Sequence, residues 1–181
     1  MRVITGKARG VQLKTPEGMT TRPTTDRVKE ALFSIIQFEI PTARVLDLFG
    51  GTGQLGIEAL SRGASTAVFV DAGEPACRLI RENLKRTKLE ADAKVIRADY
   101  LDYLKRCREK FDIIFLDPPY AEVFLENALK CIAEIDILQS GGIIVTERPV
   151  GKELPWEFDG FTRSRDYKYG NTVLTIYRRN G

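Results

Sequence analysis

The sequence predicts an α/β domain built on a mostly parallel sheet that is covered by helices on both faces. From Arg44 onward, short and nearly continuous apolar segments alternate with segments of helical periodicity, which is typical of parallel sheets buried on both sides. A glycine-rich loop follows the first apolar segment, and an aspartate with two prolines follows the fourth. A length of 181 residues suffices for one such domain with a small appendage.

The elements follow from changes in hydrophobic period along the chain. Apolar residues at i, i+3, i+4, i+7 and i+8 from Val28 predict a helix over 24–39. Strands are predicted at 44–49, 66–71, 93–98, 111–116 and 142–147, and helices at about 54–62, 74–88, 100–109 and 122–135. Segments 161–168 and 172–179 flank Gly170-Asn171 and predict a closing hairpin. We divide the chain into a basic N-terminal hairpin or arm, 1–22, and a main domain, 23–181, whose sheet core starts at 44.

Composition narrows the possible chemistry. The chain contains no histidine, which excludes serine–histidine and cysteine–histidine nucleophiles and removes the commonest zinc ligand, so we expect no metal. Three widely spaced cysteines match no metal or disulfide pattern and are expected in the core. No apolar run is long enough to span a membrane and the N-terminus does not look like a secretory signal, so we expect a cytoplasmic protein without membrane association.

Positive charge is concentrated at the N-terminus. Residues 1–29 carry seven Lys or Arg and two acidic residues, a net +5, whereas the remainder carries 21 basic and 23 acidic residues, a net −2. A basic arm on a slightly acidic body suggests a polyanionic partner.

The glycine loop predicts a cofactor site. Gly51, Gly53 and Gly56 satisfy the G-x-G-x-x-G dinucleotide pattern, and Asp71 lies twenty residues after Gly51, so a nicotinamide enzyme is one alternative. Asp47 argues against it, because a carboxylate there would repel a pyrophosphate but suits a cofactor with a positive amino group and a sulfonium. The predicted cofactor-binding residues of this loop are Asp47, Phe49, Gly50, Gly51 and Gly53.

Two further acids follow the next strands. Asp71 is predicted to accept hydrogen bonds from ribose hydroxyls, with helix capping before Glu74 as the alternative. Asp99, with Tyr100 beside it, is placed to bind an adenine amino group, and capping of the helix from residue 100 is again the alternative. Thr24 and Thr25 either reach the cofactor's carboxylate or cap the first helix; Thr25 is kept as a cofactor candidate.

The segment Asp117-Pro118-Pro119-Tyr120 is the candidate catalytic corner. It follows a buried strand, at the sheet edge where open α/β proteins place their active sites, and two prolines make it rigid. An exocyclic amino group of a base is a poor nucleophile, and the Asp117 carboxylate and Pro118 carbonyl would hold both its N–H bonds. With an ordinary pKa near 3.9, Asp117 is expected to be ionised and able to accept the released proton. Tyr120 would stack on the flipped base.

At these motifs the sequence resembles a known family. The stretch 47–56 followed by Asp117-Pro118-Pro119-Tyr120 looks like the amino-methyltransferases of class I, which depend on S-adenosylmethionine. The segments 2–10 and 21–30 are similar to the bacterial 16S rRNA guanine-N2 methyltransferases that act on the small ribosomal subunit, and this similarity covers nearly the whole chain. It implies a Rossmann-like, seven-stranded sheet with an antiparallel last strand. The family usually has Ala-Gly-Ser where this chain has Gly50-Gly51-Thr52, and it often has Glu in place of Asp71.

The resemblance implies methyl transfer to the N2 amino group of a guanine in 16S rRNA, within the small subunit or its assembly intermediate, and we expect the enzyme to be a monomer. Six basic residues are then candidates for phosphate contact: Arg2, Lys7, Arg9, Lys14, Arg22 and Arg27. Methylation of adenine N6 in DNA or of a protein glutamine amide remains an alternative, although 181 residues leave little room for a DNA target-recognition domain. A non-catalytic RNA-binding or assembly factor is the alternative of another class.

Overall fold

The computed structural model describes residues 1–18, 23–119 and 121–180, with side chains for all of these except 23–25, 121 and 122. The helices are α1 (Pro23–Ile35), α2 (Gln54–Ser61), α3 (Glu74–Thr87), α4 (Tyr100–Arg106) and α5 (Ala121–Ile135). The strands are β1 (Arg44–Asp47), β2 (Thr66–Asp71), β3 (Ala93–Arg97), β4 (Phe111–Leu116), β5 (Leu138–Pro149), β6 (Glu157–Phe158), β7 (Phe161–Tyr169) and β8 (Thr172–Arg179).

The predicted fold class is confirmed. One sheet has the strand order β3-β2-β1-β4-β5-β8-β7-β6; its first five strands are parallel, and β8, β7 and β6 join antiparallel. The sheet has eight strands instead of seven because the two-residue strand β6 pairs with β7 beyond the closing hairpin. Strand β5 extends beyond the predicted 142–147 because it pairs with both β4 and β8.

Helices α1 and α4 are shorter than predicted. Helix α1 ends at Ile35 instead of residue 39. In the turn that follows, the Glu39 N–H donates to the Ile36 carbonyl, three residues back, so the α-helical spacing of four residues is not continued. Helix α4 ends at Arg106 instead of residue 109 because Cys107 is already extended, with φ −66° and ψ 133°. All three cysteines are buried and unbonded to one another.

Side-chain alternation along the central strands divides the core between the two faces of the sheet. Val45, Phe69, Phe115 and Val145 pack on one face with buried residues of α1, α2 and α3. Their neighbours Leu46, Val68, Ile114 and Ile144 pack on the other face with α4 and α5. The residues two positions further along β1, β2, β4 and β5 therefore face the α1–α3 side, and each is acidic: Asp47, Asp71, Asp117 and Glu147.

The described part of the N-terminal arm, residues 1–18, folds back on itself and lies against the body of the protein. Arg2 and Gln12 form an antiparallel bridge, and Val3, Ala8 and Leu13 are buried in the α1–α3 side of the core. None of the helices within the described residues combines the length and apolarity needed to cross a membrane.

Candidate active site

One acidic residue lies within two residues of the carboxyl end of each of the five parallel strands. In the spatial order of the strands these are Asp99, Asp71, Asp47, Asp117 and Glu147. All five line a single cavity of about 780 Å³. The carboxyl edge of a parallel sheet is where open α/β folds bind ligands, so this cavity is the candidate active site.

The glycine loop between β1 and α2 forms one wall of the cavity and is held by two of these acids. Gly51 has φ +57°, a left-handed conformation that favours glycine, and its N–H donates to Asp71 Oδ2 at 3.0 Å. The Gly56 N–H donates to Asp47 Oδ2 at 3.1 Å. A Cβ on Gly56 would lie 2.3 Å from the Phe69 ring, so only glycine allows α2 to lie this close to the sheet.

Most predicted loop residues line the cavity. Phe49, Gly50 and Gly51 are among them. Gly53, with φ +79°, caps α2 and is buried next to Ile57, so it shapes the turn from below without lining the cavity.

The buried carboxyl group of Asp47 receives one hydrogen bond from the described residues. It is 2% exposed, and burial followed by the carboxylates of Asp117 and Asp71 raises its pKa to about 7, against the lowering effect of the Gly56 N–H. A positively charged ligand group in the cavity would favour the ionised form.

Asp71 and Asp99 combine structural bonds with positions on the cavity wall. Asp71 Oδ1 accepts from Gly73 N–H at 2.8 Å, at the start of α3, while its other oxygen holds Gly51. Asp99 Oδ1 caps α4 by accepting from Leu101 N–H at 2.9 Å and from Asp102 N–H at 3.3 Å. The capping alternative thus describes a real contact of Asp99, and its Oδ2 takes no part in it.

An aromatic cluster stands beside Asp99. The ring of Tyr100 lies 5.1 Å from that of Phe49 and 5.4 Å from that of Phe124, centroid to centroid. All three residues line the cavity. Phe124 was missed from the sequence because its helical apolar period is also that of an ordinary core residue.

The Asp117 corner follows β4, which pairs with β1, the strand that leads into the glycine loop. Asp117 and Pro118 both line the cavity, as does the more exposed Pro119. Tyr120 lies outside the described residues. The expectation of an ordinary pKa for Asp117 is wrong, because burial raises the pKa to about 6; the group still loses its proton below neutral pH.

Glu147 is the cavity residue that sequence reasoning missed. The last β4–β5 register pair is Leu116 with Thr146, so Glu147 is level with Asp117 on the neighbouring strand. Burial, followed by the Asp117 carboxylate, raises its pKa well above the ordinary range. The sequence pattern could have identified Glu147, because an acid follows the apolar residues of β5 as Asp117 follows those of β4.

The arm contributes a further side of the cavity. Met1, Thr15 and Pro16 are among the lining residues, and the Thr52 hydroxyl of the glycine loop lies 3.4 Å from the Met1 sulfur. The sequence interpretation assigned the arm to RNA alone and missed this contribution, since no periodic pattern links it to the loop.

The predicted phosphate-binding residues differ in their surroundings. Arg2, Lys7, Arg9 and Arg27 are exposed, whereas the exposed Lys14 pairs with Glu82 at 2.8 Å. Arg22 and the Thr24 and Thr25 side chains lie outside the described part of the structure.

Comparison with known proteins gives full-length matches. Residues 1–178 match the family described as conserved hypothetical protein 95. YlbH of Bacillus subtilis, provisionally named an rRNA methyltransferase, is 42% identical over 184 residues, covering 100% of both chains. Ribosomal RNA small subunit methyltransferase D of Escherichia coli is 31% identical over 99% of this chain and 90% of its own. The solved structure of yhhF from Escherichia coli, provisionally titled a methyltransferase, has a TM-score of 0.90 at 32% identity, covering 99% of this chain and 98% of the other.

Proposed function

The chain belongs to the conserved hypothetical protein 95 family, and from that premise we propose that it transfers a methyl group from S-adenosylmethionine to the exocyclic N2 amino group of a guanine in 16S rRNA. Family membership agrees with the resemblance found in the sequence. The names of the full-length relatives support methyl transfer to ribosomal RNA. The choice of guanine N2 and the assignment of residues are the finer parts of the proposal.

One observation carries the proposal. The Asp117-Pro118 corner and the Gly50-Gly51 loop line the same cavity, from the ends of the adjacent strands β4 and β1. An amino group bound at the corner would therefore face a ligand bound over the loop, which is the arrangement that direct transfer between two bound substrates requires.

The acceptor groups of the cavity fit S-adenosylmethionine. Asp47 offers a carboxylate to the cofactor's ammonium group, Asp71 to its ribose hydroxyls and Asp99 Oδ2 to its adenine amino group. Phe49, Tyr100 and Phe124 offer an apolar wall for the adenine ring. When bound, the cofactor supplies a methyl carbon activated by an adjacent sulfonium. A pyrophosphate would meet the buried Asp47 carboxylate instead, which disfavours a nicotinamide cofactor.

Asp117 and Pro118 orient the acceptor amine. The Asp117 carboxylate and the Pro118 carbonyl each accept one N–H bond, which directs the nitrogen lone pair along the remaining direction. The carboxylate then takes the proton that the nitrogen must lose. A pKa near 6 suits this role better than an ordinary one, because a base is most effective when its pKa lies near the working pH.

The arm extends the proposed RNA contact. Arg2, Lys7 and Arg9 are exposed on the arm, and Arg27 is exposed on α1, so they can bind phosphates beyond the acceptor nucleotide. Lys14 would have to leave Glu82 to do so, and Arg22 completes the predicted set. We propose the small ribosomal subunit or its assembly intermediate as the partner.

The proposal is tested by incubating the protein with small subunits that lack the modification and with methyl-labelled S-adenosylmethionine, then mapping the labelled nucleoside. We expect N2-methylguanosine at one position of 16S rRNA. Asp117→Asn should lower kcat by about 10²- to 10⁴-fold and leave cofactor affinity within a few-fold of wild type. The exposed Asp92→Asn is the matched control. Label in adenosine, in glutamine or in no product would contradict the proposal.

A further inference from the structure

A second pocket adjoins the active-site cavity on its acceptor side. It has a volume of about 320 Å³ and lies between α1, the start of α2, the end of β5 and the turn that joins β7 to β8. We call it the hairpin pocket. Gln54, Leu55 and Glu147 line both spaces, so the hairpin pocket and the active-site cavity share a wall made of these residues.

The strand order fixes the side on which the hairpin pocket opens. Asp99, Asp71 and Asp47 lie at the carboxyl ends of β3, β2 and β1, whereas Asp117 follows β4 and Glu147 lies near the carboxyl end of β5. The hairpin pocket therefore lies at the opposite end of the row of acids from the proposed adenosine site. Whatever occupies it lies next to the Asp117 corner.

The walls of the hairpin pocket suit a flat heterocycle. Val28, Leu32 and Leu55 are buried apolar side chains, and Tyr169 supplies a half-buried aromatic ring at the turn. A few polar groups set among apolar and aromatic walls are typical of small-ligand sites, whose volumes start at about 300 Å³.

The hairpin pocket contains hydrogen-bond acceptors to which the described residues supply no donor. Lys29 lines the pocket, but its ammonium group donates to the Arg2 carbonyl and lies 3.8 Å from Glu58. Gln54 Oε1 is buried without a hydrogen-bond partner, and the Glu147 carboxyl accepts no bond from any described residue. A buried acceptor without a donor, such as Gln54 Oε1, is costly, and a ligand with N–H groups would supply donors to both residues.

We propose that the hairpin pocket holds the purine ring of the acceptor nucleotide and that Glu147 accepts a hydrogen bond from the guanine N1–H. This inference rests on the proposed function and adds a specificity-determining residue to it. In guanine, N1–H and the N2 amino group are neighbours on one edge, as Asp117 and Glu147 are neighbours at the edge of the sheet. When the amino group is bound by Asp117, the neighbouring N1–H lies next to Glu147 and can donate to it. An adenine presents a ring acceptor at N1, which only a protonated Glu147 could meet with a donor, so the preference for guanine belongs to the ionised carboxylate.

The test replaces the mapped acceptor guanine with 2-aminopurine, which keeps the 2-amino group and has an acceptor at N1. Small subunits are assembled from 16S rRNA ligated to carry either base, and kcat/KM is measured for both. We expect wild type to prefer guanine by at least tenfold above about pH 8, where Glu147, whose pKa is about 8, is ionised. Glu147→Gln should reduce this preference to near one, because an amide can accept from the N1–H of guanine and can also donate to N1 of 2-aminopurine. Glu147→Asp keeps a carboxylate and should keep the preference. The exposed Glu157→Gln is the matched control.

A structural role for Glu147 would lower transfer to both bases equally, and an unchanged preference in Glu147→Gln would overturn the inference while leaving the proposed function intact. Failure of the wild type to methylate the guanine-containing subunits would overturn the proposed function and the inference together. S-adenosylmethionine affinity, measured by calorimetry, should be the same in all variants, since Glu147 lies on the acceptor side.

Discussion

Two regions of the molecule bury carboxyl groups and treat them in opposite ways. In the arm contact, Glu58 of α2 is fully buried and accepts hydrogen bonds from Ile4 N–H at 2.9 Å, Thr5 N–H at 3.1 Å and Arg62 Nε at 2.8 Å. The Lys29 ammonium lies 3.8 Å away. In the active-site cavity, Asp47 is buried almost as deeply but accepts one bond within the described structure, from the Gly56 N–H.

This difference distinguishes Glu58, whose carboxyl group stabilises the fold, from carboxyl groups of the cavity that are available to bind a ligand. The oxygens of Glu58 are supplied with donors from the chain itself, so its charge stabilises the folded arm. Of the cavity acids, Asp47, Asp117 and Glu147 receive at most one such bond from the described residues, and burial raises their pKa values. Perturbed acids of this kind cluster at functional sites, and here they cost stability until a ligand supplies donors or positive charge.

The largest effect is expected at Glu58. Glu58→Ala would leave two backbone N–H groups without an acceptor and the buried Lys29 without its counter-ion, which should lower the free energy of unfolding by about 3–5 kcal/mol. Urea denaturation measures the change. Glu82→Ala is the control, because Glu82 also pairs with a basic residue of the arm but is a surface group and should cost under about 1 kcal/mol. If the two variants lost equal free energy of unfolding, the buried contacts of Glu58 would not stabilise the arm more than a surface ion pair does.

At Asp47 we expect the opposite effect on the free energy of unfolding, because its ionised carboxyl group destabilises the unliganded protein. In the folded chain its pKa is about 7, against about 3.9 when unfolded, so the folded state binds more protons between these values. The stability of the unliganded protein should therefore fall as pH rises through this range, with the cost complete above pH 7.

Asp47→Asn removes the charge and keeps an acceptor for the Gly56 N–H. At pH 8 it should be more stable than wild type by on the order of 2 kcal/mol, and the gain should nearly vanish at pH 4. Urea denaturation of the unliganded proteins at both pH values measures this, and calorimetry should show weakened S-adenosylmethionine binding. A variant that is less stable than wild type at pH 8, or equally shifted at both pH values, would refute the account of Asp47 as an uncompensated acid.

The sequence predicted the cavity better than it predicted the arm, for a physical reason. Residues of the cavity follow from local patterns: an apolar strand followed by an acid, or by glycines, places those groups at the carboxyl edge of the sheet. Glu147 obeyed the same rule and could have been found by applying it to β5. The length of α1 could not, because its last turn depends on tightened bonds that the apolar period does not reveal.

The arm depends on pairings between distant residues. Ser61 accepts from Ala8 N–H and donates to the Thr5 carbonyl. Asn83 of α3 holds both Lys14 backbone groups and the Thr52 carbonyl. Ser and Asn are common on helices, and nothing in their spacing shows that a segment about fifty to seventy residues away supplies their partners.

The smallest effect on stability is expected where the arm faces solvent. Arg2, Lys7 and Arg9 are exposed, and their side chains form no ion pair with any described residue. Replacing all three with Gln should change the free energy of unfolding by less than about 1 kcal/mol. If they bind phosphates, the same variant should bind RNA more weakly. The slope of log K against log salt should then flatten by about 2, because each phosphate of a single strand that a basic side chain neutralises contributes about 0.7 to it.

Fluorescence titration of a labelled 16S rRNA fragment at several salt concentrations measures this slope. Replacing Lys85, Lys88 and Lys94 with Gln removes the same charge from exposed positions on and after α3 and is the matched control. A flattened slope in the arm variant alone would divide the arm into a buried side that fastens it and an exposed side that binds RNA. Equal slopes in both variants would mean that overall charge, and not the arm, governs RNA affinity.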